Sequence, residues 1–232
     1  MSENIKKIMK AFMADLDSRE NQSIILKPST RPFNNQVHQV NEVAKKIYKL
    51  IEGTKHPNDD IILNHNEIKE AFFSPFEPQL KDAQVFLSHS HADKNKALKV
   101  KNYLESETNH RVFIDSLFWD YKDNVLNKLA KYDNTSKIKD AFVLILRESL
   151  QDMIEKCPYF VFLQSSNSVS NQGLSCTTYS AWVYEELKIA HSIRESRPTP
   201  MMESWQAFHD ISPFLENLET ITLKELSQQI NS

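Results

Sequence analysis

Residues 88–93 read Ser-His-Ser-His-Ala-Asp and follow at once on the apolar run Val85, Phe86 and Leu87. His89, His91 and Asp93 alternate, so two imidazoles and a carboxylate stand at a spacing that zinc accepts. The chemistry of such a set is metal-assisted hydrolysis. A binuclear centre asks for one more histidine in the row, where Lys94 stands, and for further His and Asp ligands, whereas His191 and His209 lie far downstream. The same six residues also read as polar side chains that end a strand. A second pair is Trp182 and Glu186. Four residues apart on a helix, they share one face with Cβ atoms about 5–6 Å apart. The indole offers a flat surface for a ring to stack on, although a tryptophan on an amphipathic helix is more often a core residue than a ligand platform. Glu185 and Glu186 also read as a solvated pair near a helix start, favoured there by the helix dipole.

The chain has two glycines in 232 residues, Gly53 and Gly173. This excludes a glycine-rich dinucleotide turn, a Walker-type phosphate loop and a nucleophile elbow. A nucleotide would have to be held by side chains and by non-glycine backbone.

The elements that must position these residues follow from periodicity. Ile5, Ile8, Met9, Phe12, Met13 and Leu16 fall at helical spacing. Val37, Val40, Ala44, Ile47 and Ile51 make a second stripe that ends at Gly53, and Glu67–Phe73 a third. No strand signal stands out in the first eighty residues. From Ala83 the pattern changes. Val85–Leu87 predicts a strand, and the stripe Ala97, Val100, Leu104 predicts a helix, with Asp93 placed to cap it. Lys94, Lys96 and Lys99 read as its solvated face. Arg111–Asp115 predicts a second strand, which completes a β-α-β unit and implies a parallel sheet. Residues Asp123–Lys156 are helical in composition with a break at Asp133–Ser136, and Ala141–Leu146 fits either helix or strand. Tyr159–Leu163 predicts the third strand, Gln164–Ser180 a Ser/Asn-rich loop, and Ala181–Ile193 a helix. A weak strand signal lies at Pro200–Met202 and a better one at Glu219–Leu223. Alternation of this kind is the mark of a doubly wound sheet, with ligands at the carboxyl ends of its strands.

Three of these segments, in this order, resemble the boxes of TIR (Toll/interleukin-1 receptor) domains. Val-Phe-Leu-Ser-His-Ser-His-Ala-Asp resembles the first, with Ser88, His89 and Asp93 on its polar positions. Val-Phe-Ile-Asp and Leu117–Asp120 resemble the second strand and the BB loop. Ser180-Ala-Trp-Val-Tyr-Glu-Glu-Leu187 resembles the Ser-x-Trp-Cys-x-x-Glu-Leu segment. Val183 replaces the cysteine, and the loops lack the family's glycines. The resemblance implies an α/β, flavodoxin-like, doubly wound parallel sheet over residues 81–232, with residues 1–80 as a helical N-terminal extension. It also implies that Glu186 is the catalytic carboxylate that cleaves the nicotinamide–ribose bond of NAD. Trp182, Ser88, His89, Ser90, Asp115, Phe118 and Trp119 would then bind the substrate, the last two from a loop that also mediates self-association. NAD is a substrate here, not a cofactor. Similarity to bacterial members, of the kind found in Thoeris-type antiphage defence, implies ADP-ribose or a cyclic or modified ADP-ribose signal as product, read by a downstream effector.

The remaining composition bounds these readings. With 40% apolar and 25% charged residues and a net charge of −3, neither disorder nor a nucleic-acid partner is suggested. No apolar run approaches the ~18 residues of a membrane span. Met1–Lys10 lacks a signal-peptide core, and Cys157 and Cys176 are too few for a disulfide scaffold. A reducing cytoplasm is the expected location. Two other functions stay open on the residues alone: a non-catalytic TIR interaction module, because a fold does not fix its activity, and a metallohydrolase using His89, His91 and Asp93.

Overall fold

The structure is a computed structural model that describes residues 9–27, 40–52, 65–73, 82–114, 116–129, 136–172, 175–195 and 209–232. Its strands are β1 (Lys10–Asp15), β2 (Ala83–His89), β3 (Arg111–Ile114), β4 (Tyr159–Gln164), β5 (Ser170–Gln172), β6 (Ser175–Thr178), β7 (His209–Asp210) and β8 (Glu219–Thr220). Its helices are α1 (Arg19–Ile25), α2 (Val40–Glu52), α3 (His65–Phe73), α4 (Lys94–Glu107), α5 (Ser116–Leu129), α6 (Ser136–Lys156), α7 (Ala181–Glu195), α8 (Ser212–Leu215) and α9 (Leu223–Asn231).

Five strands form one sheet in the order β3-β2-β4-β1-β8, and every neighbouring pair is parallel. The expected α/β class is therefore present: a parallel sheet with helices against it, α4 packing on β2 and β3, and α7 on β2. A central parallel strand is buried on both faces and reads as an unbroken apolar run; in β4 Phe160, Val161, Phe162 and Leu163 are all buried. Phe86 stands in register between Phe113 and Phe160, with ring centroids 5.8 Å away on either side. This aromatic ladder runs across three strands and fixes their register, because a slip of one residue would turn every ring to the other face.

The N-terminal segment departs from expectation. Lys10–Asp15 is a strand, not part of a helix, and it lies between β4 and β8. Its apolar residues do fall at helical steps, but so short a run also fits a buried strand, and long-range pairing decides. Phe12 registers with Val161 and Met13 with Phe162, while Met13 O accepts the Ile221 N–H at 2.9 Å. The expected helices at Val37–Ile51 and Glu67–Phe73 are present as α2 and α3 within their described bounds.

Two other expectations change, and one open reading is resolved. The Ser/Asn-rich stretch 164–180 is not all loop, for β5 and β6 form an antiparallel hairpin that β7 extends. Ala141–Leu146 is helical, within α6. Leu117–Asp120, expected in a loop, lies in helix α5. Pro200–Met202 falls outside the described residues.

The chain forms two compact units. One contains both sheets with α1, α4, α7, α8 and α9. The other comprises residues 34–81 and 116–152 and is helical. In it α2 packs on α3 and α5, Ile47, Ile68 and Val125 are buried, and Lys69 is ion-paired with Asp152. Helices from the first eighty residues thus share a core with a segment inserted between β3 and β4.

Candidate functional site

From β2 the chain crosses to the edge strand β3 and then returns past β2 to β4, so the winding reverses between β2 and β4. In open α/β sheets a crevice forms at the carboxyl ends of the strands flanking that reversal. Here those ends are Ser88–His89 and Gln164. Ser88, His89 and Ser90 are all buried, and the Ser88 hydroxyl has no hydrogen-bond partner among the described residues. His91, one residue on, is exposed on a short 3-10 turn.

Asp93 does not cap α4. Its side chain makes no capping hydrogen bond at the helix start and turns into the loop after β4. One carboxylate oxygen accepts from Ser165 Oγ. The other accepts from Asn167 Nδ2 at 2.9 Å and lies 3.5 Å from Lys96 Nζ. Asp93 is fully buried, a position a carboxylate tolerates when such donors replace water.

A second carboxylate joins the same loops from β1. Asp17 Oδ1 accepts from Lys96 Nζ at 2.9 Å, and Oδ2 accepts from the Ser166 backbone N–H at 3.0 Å. The Lys96 ammonium, and after it the Ser166 N–H, holds the Asp17 carboxyl below the usual carboxylate range. Asp17 in turn raises the lysine above its ordinary value. Lys96 is thus a partner of two carboxylates, whereas the spacing had placed it on a solvated face. The loops after β1, β2 and β4, three strands adjacent in space, are tied together by Asp17, Asp93 and Lys96.

The Trp182–Glu186 pair sits on α7, whose first turn is capped by Ser180: its Oγ accepts the Val183 N–H at 3.2 Å. Trp182 is half-buried. Glu185 and Glu186 are both 0% exposed, so the solvated-pair alternative is overturned. Adjacent helix residues point about 100° apart, and enclosure of both means that α7 is covered on two sides. Glu185 lies 3.6 Å from Lys188 Nζ, which in turn lies 5.5 Å from the centre of the Tyr184 ring. Tyr184 stacks on His209 of β7 at 4.6 Å, pinning this side of the helix to the small sheet.

Not every candidate joins this arrangement. Phe118 and Trp119 belong to α5 in the helical unit, and their side chains lie outside the described residues, as does Asp115 altogether. Among the described residues no group of three or more His, Cys, Asp or Glu side chains is disposed to hold a metal ion. His89 points into the fold while His91 points to water, and Asp93 is committed to Ser165 and Asn167, so the alternating triplet does not converge.

A cleft of about 890 Å3 lies between α1, α4 and α9, away from these residues. Its polar walls are largely engaged with one another. Asn21 donates to Asp15 O at 2.7 Å and accepts the Leu223 N–H at 2.8 Å, and Asn231 donates to Glu107 O at 3.0 Å. The buried Asp93, with the partly exposed Asp17 and Lys96 at the carboxyl ends of the strands, makes the more specific chemical environment.

Asp17, Lys96, Ser165 and Asn167 were missed by sequence reasoning. The signal available was Ala-Phe-Met-Ala followed by Asp-Leu-Asp-Ser, an apolar run that ends in acidic residues as strand ends often do. No family model matches the chain, and neither the curated proteins nor the solved structures give a match. Function has to be read from the site.

Proposed function

We propose that the chain is an NAD-cleaving enzyme with a flavodoxin-like, TIR-like sheet unit, in which Glu186 is the catalytic carboxylate. The observation that carries this is the enclosure of Glu186 on a helix packed against β2, the strand whose carboxyl end supplies Ser88, His89 and Ser90 at the winding reversal. A carboxylate withdrawn from water stabilises positive charge far better than one in solvent.

The reaction needs little else. The bond between ribose C1′ and the pyridinium nitrogen breaks, and its electron pair stays on nitrogen, so nicotinamide leaves neutral without a general acid. Positive charge develops on C1′ and the ring oxygen, where Glu186 stabilises it. Water then attacks C1′, losing a proton to give ADP-ribose, or an internal nucleophile closes a cyclic product. Trp182, half-buried one turn before Glu186, offers a face to a departing or bound ring.

The same 0% exposure favours a second reading, a TIR-like interaction module without catalysis, since a catalytic group must be reached by substrate. The two are separated by incubating purified protein with NAD, alone and with phage-infected lysate, and analysing products by mass. Catalysis predicts nicotinamide release that falls about a hundred- to a thousandfold in Glu186→Gln. Equal inertness of wild type and variant under both conditions would leave the interaction module.

A further inference from the structure

We propose that Lys96 Nζ and the Ser166 backbone N–H form an anion-binding pair, that Asp17 occupies it in the ligand-free chain, and that a phosphate or diphosphate displaces Asp17. Three observations carry this. Each donor contacts a different oxygen of the one carboxylate, at 2.9 and 3.0 Å, and a phosphate presents two oxygens in the same way. Around Ser166 the turn satisfies its own amides. Ser165 N–H bonds Ser168 Oγ, Asn167 N–H bonds Ser165 Oγ, and the Ser168 and Val169 N–H groups bond Ser165 O. Ser166 N–H alone is satisfied from outside, by Asp17.

The third observation is exposure. The Asp17 and Lys96 side chains are 43% and 32% exposed, so Asp17 can turn into water without leaving a buried charge behind. Asp93 is enclosed and bonded to Ser165 and Asn167, so it stays, and at 3.5 Å it holds Lys96 over the turn. Its negative charge, with that of Asp15, whose carboxylate accepts the Asp17 N–H, keeps the affinity for an anion modest. The pair lies where the ends of β1, β2 and β4 meet, beside the winding reversal, where such sheets bind ligands. That the diphosphate is that of NAD rests on the function proposed above; the anion pair does not.

The test is titration of the full chain with inorganic pyrophosphate at low ionic strength, followed by calorimetry, for wild type, Asp17→Asn and Lys96→Met. Wild type should bind, Asp17→Asn should bind about two- to fivefold tighter, the weight of an exposed ion pair, and Lys96→Met should not bind. In wild type, amide NMR should place the largest shift at Ser166, which keeps the proposal testable if Lys96→Met does not fold. Absence of binding to folded wild type, or affinity unchanged by Asp17→Asn, overturns it and leaves the contact as a structural clamp. A nicotinamide-release assay runs alongside. Pyrophosphate binding without NAD cleavage keeps the anion pair and removes the NAD reading, whereas NAD cleavage without pyrophosphate binding does the reverse.

Discussion

Lys96 and Asp17 change each other's titration in opposite directions, and the signs give a stability prediction. Asp17 is depressed by the lysine, so its contribution is complete above its unfolded value of about 4 and is lost as pH falls through the lower folded value. Lys96 is raised, so its contribution is complete below about 10.4 and is lost at higher pH. Both side chains are partly in water, which limits the pair to about 0.2–1 kcal/mol. Urea denaturation of Asp17→Asn should therefore show a loss of that size at pH 7 in low salt, shrinking below pH 4 and in 1 M salt. The two thiols differ more sharply. Burial pushes Cys157 up to about 12, and its Sγ lies 3.7 Å from Ala83 O, whereas Cys176 is half-buried. A thiolate is the reactive form. A thiol reagent at pH 8 should label Cys176 in the folded chain and reach Cys157 only on unfolding, as mass analysis of tryptic peptides would read.

At the scale of elements, β3 is an edge strand, and edges expose unpaired amides. Here α4 covers one. Glu105 Oε1 accepts the Val112 N–H at 3.0 Å, and Lys101 Nζ donates to Val112 O at 2.5 Å, the two side chains being 2.5 Å apart. An ion pair one turn apart on the helix thus takes the place of a neighbouring strand. Hydrogen exchange at Val112 should accelerate roughly tenfold in Glu105→Ala, since a bond to a charged acceptor contributes about 1.5 kcal/mol. The strands β2, β3 and β4 and helix α7 were readable from local pattern, because each has an apolar run or stripe long enough to specify its own period. β5 and β6 were not. Their residues are serine, asparagine, glutamine, threonine and cysteine, and only pairing with each other and with His209–Asp210 makes them strands.

For the molecule as a whole, the position of β1 has the largest consequence. A chain beginning at residue 81 keeps β2, β3, β4 and α7 yet lacks the strand between β4 and β8, and with it Phe12 and its register to Val161. Such a chain should lose cooperative thermal unfolding by circular dichroism, because burial of each large side chain contributes about 1.5–3 kcal/mol against a total stability of about 5–15 kcal/mol. Enclosure of Glu186 bears on the whole molecule too. If Glu186 cleaves NAD, wild-type turnover should be slow in isolation and rise when a partner or trigger opens the fold, measured as nicotinamide release with and without infected lysate.

Residue types and local spacing were enough to specify a β-α-β start at Val85, the polar strand end Ser88–Ser90 and the helix carrying Trp182 and Glu186. These features are short-range, since period and capping depend on neighbours a few residues away. Folding added what depends on distant partners: Lys10–Asp15 as a central strand, burial of both Glu185 and Glu186, and the meeting of Asp17, Lys96 and Ser166. Asp17 and Ser166 are far apart along the chain and carry no mutual pattern in it. They come together because β1 and β4 pair in parallel and so end at the same edge of the sheet.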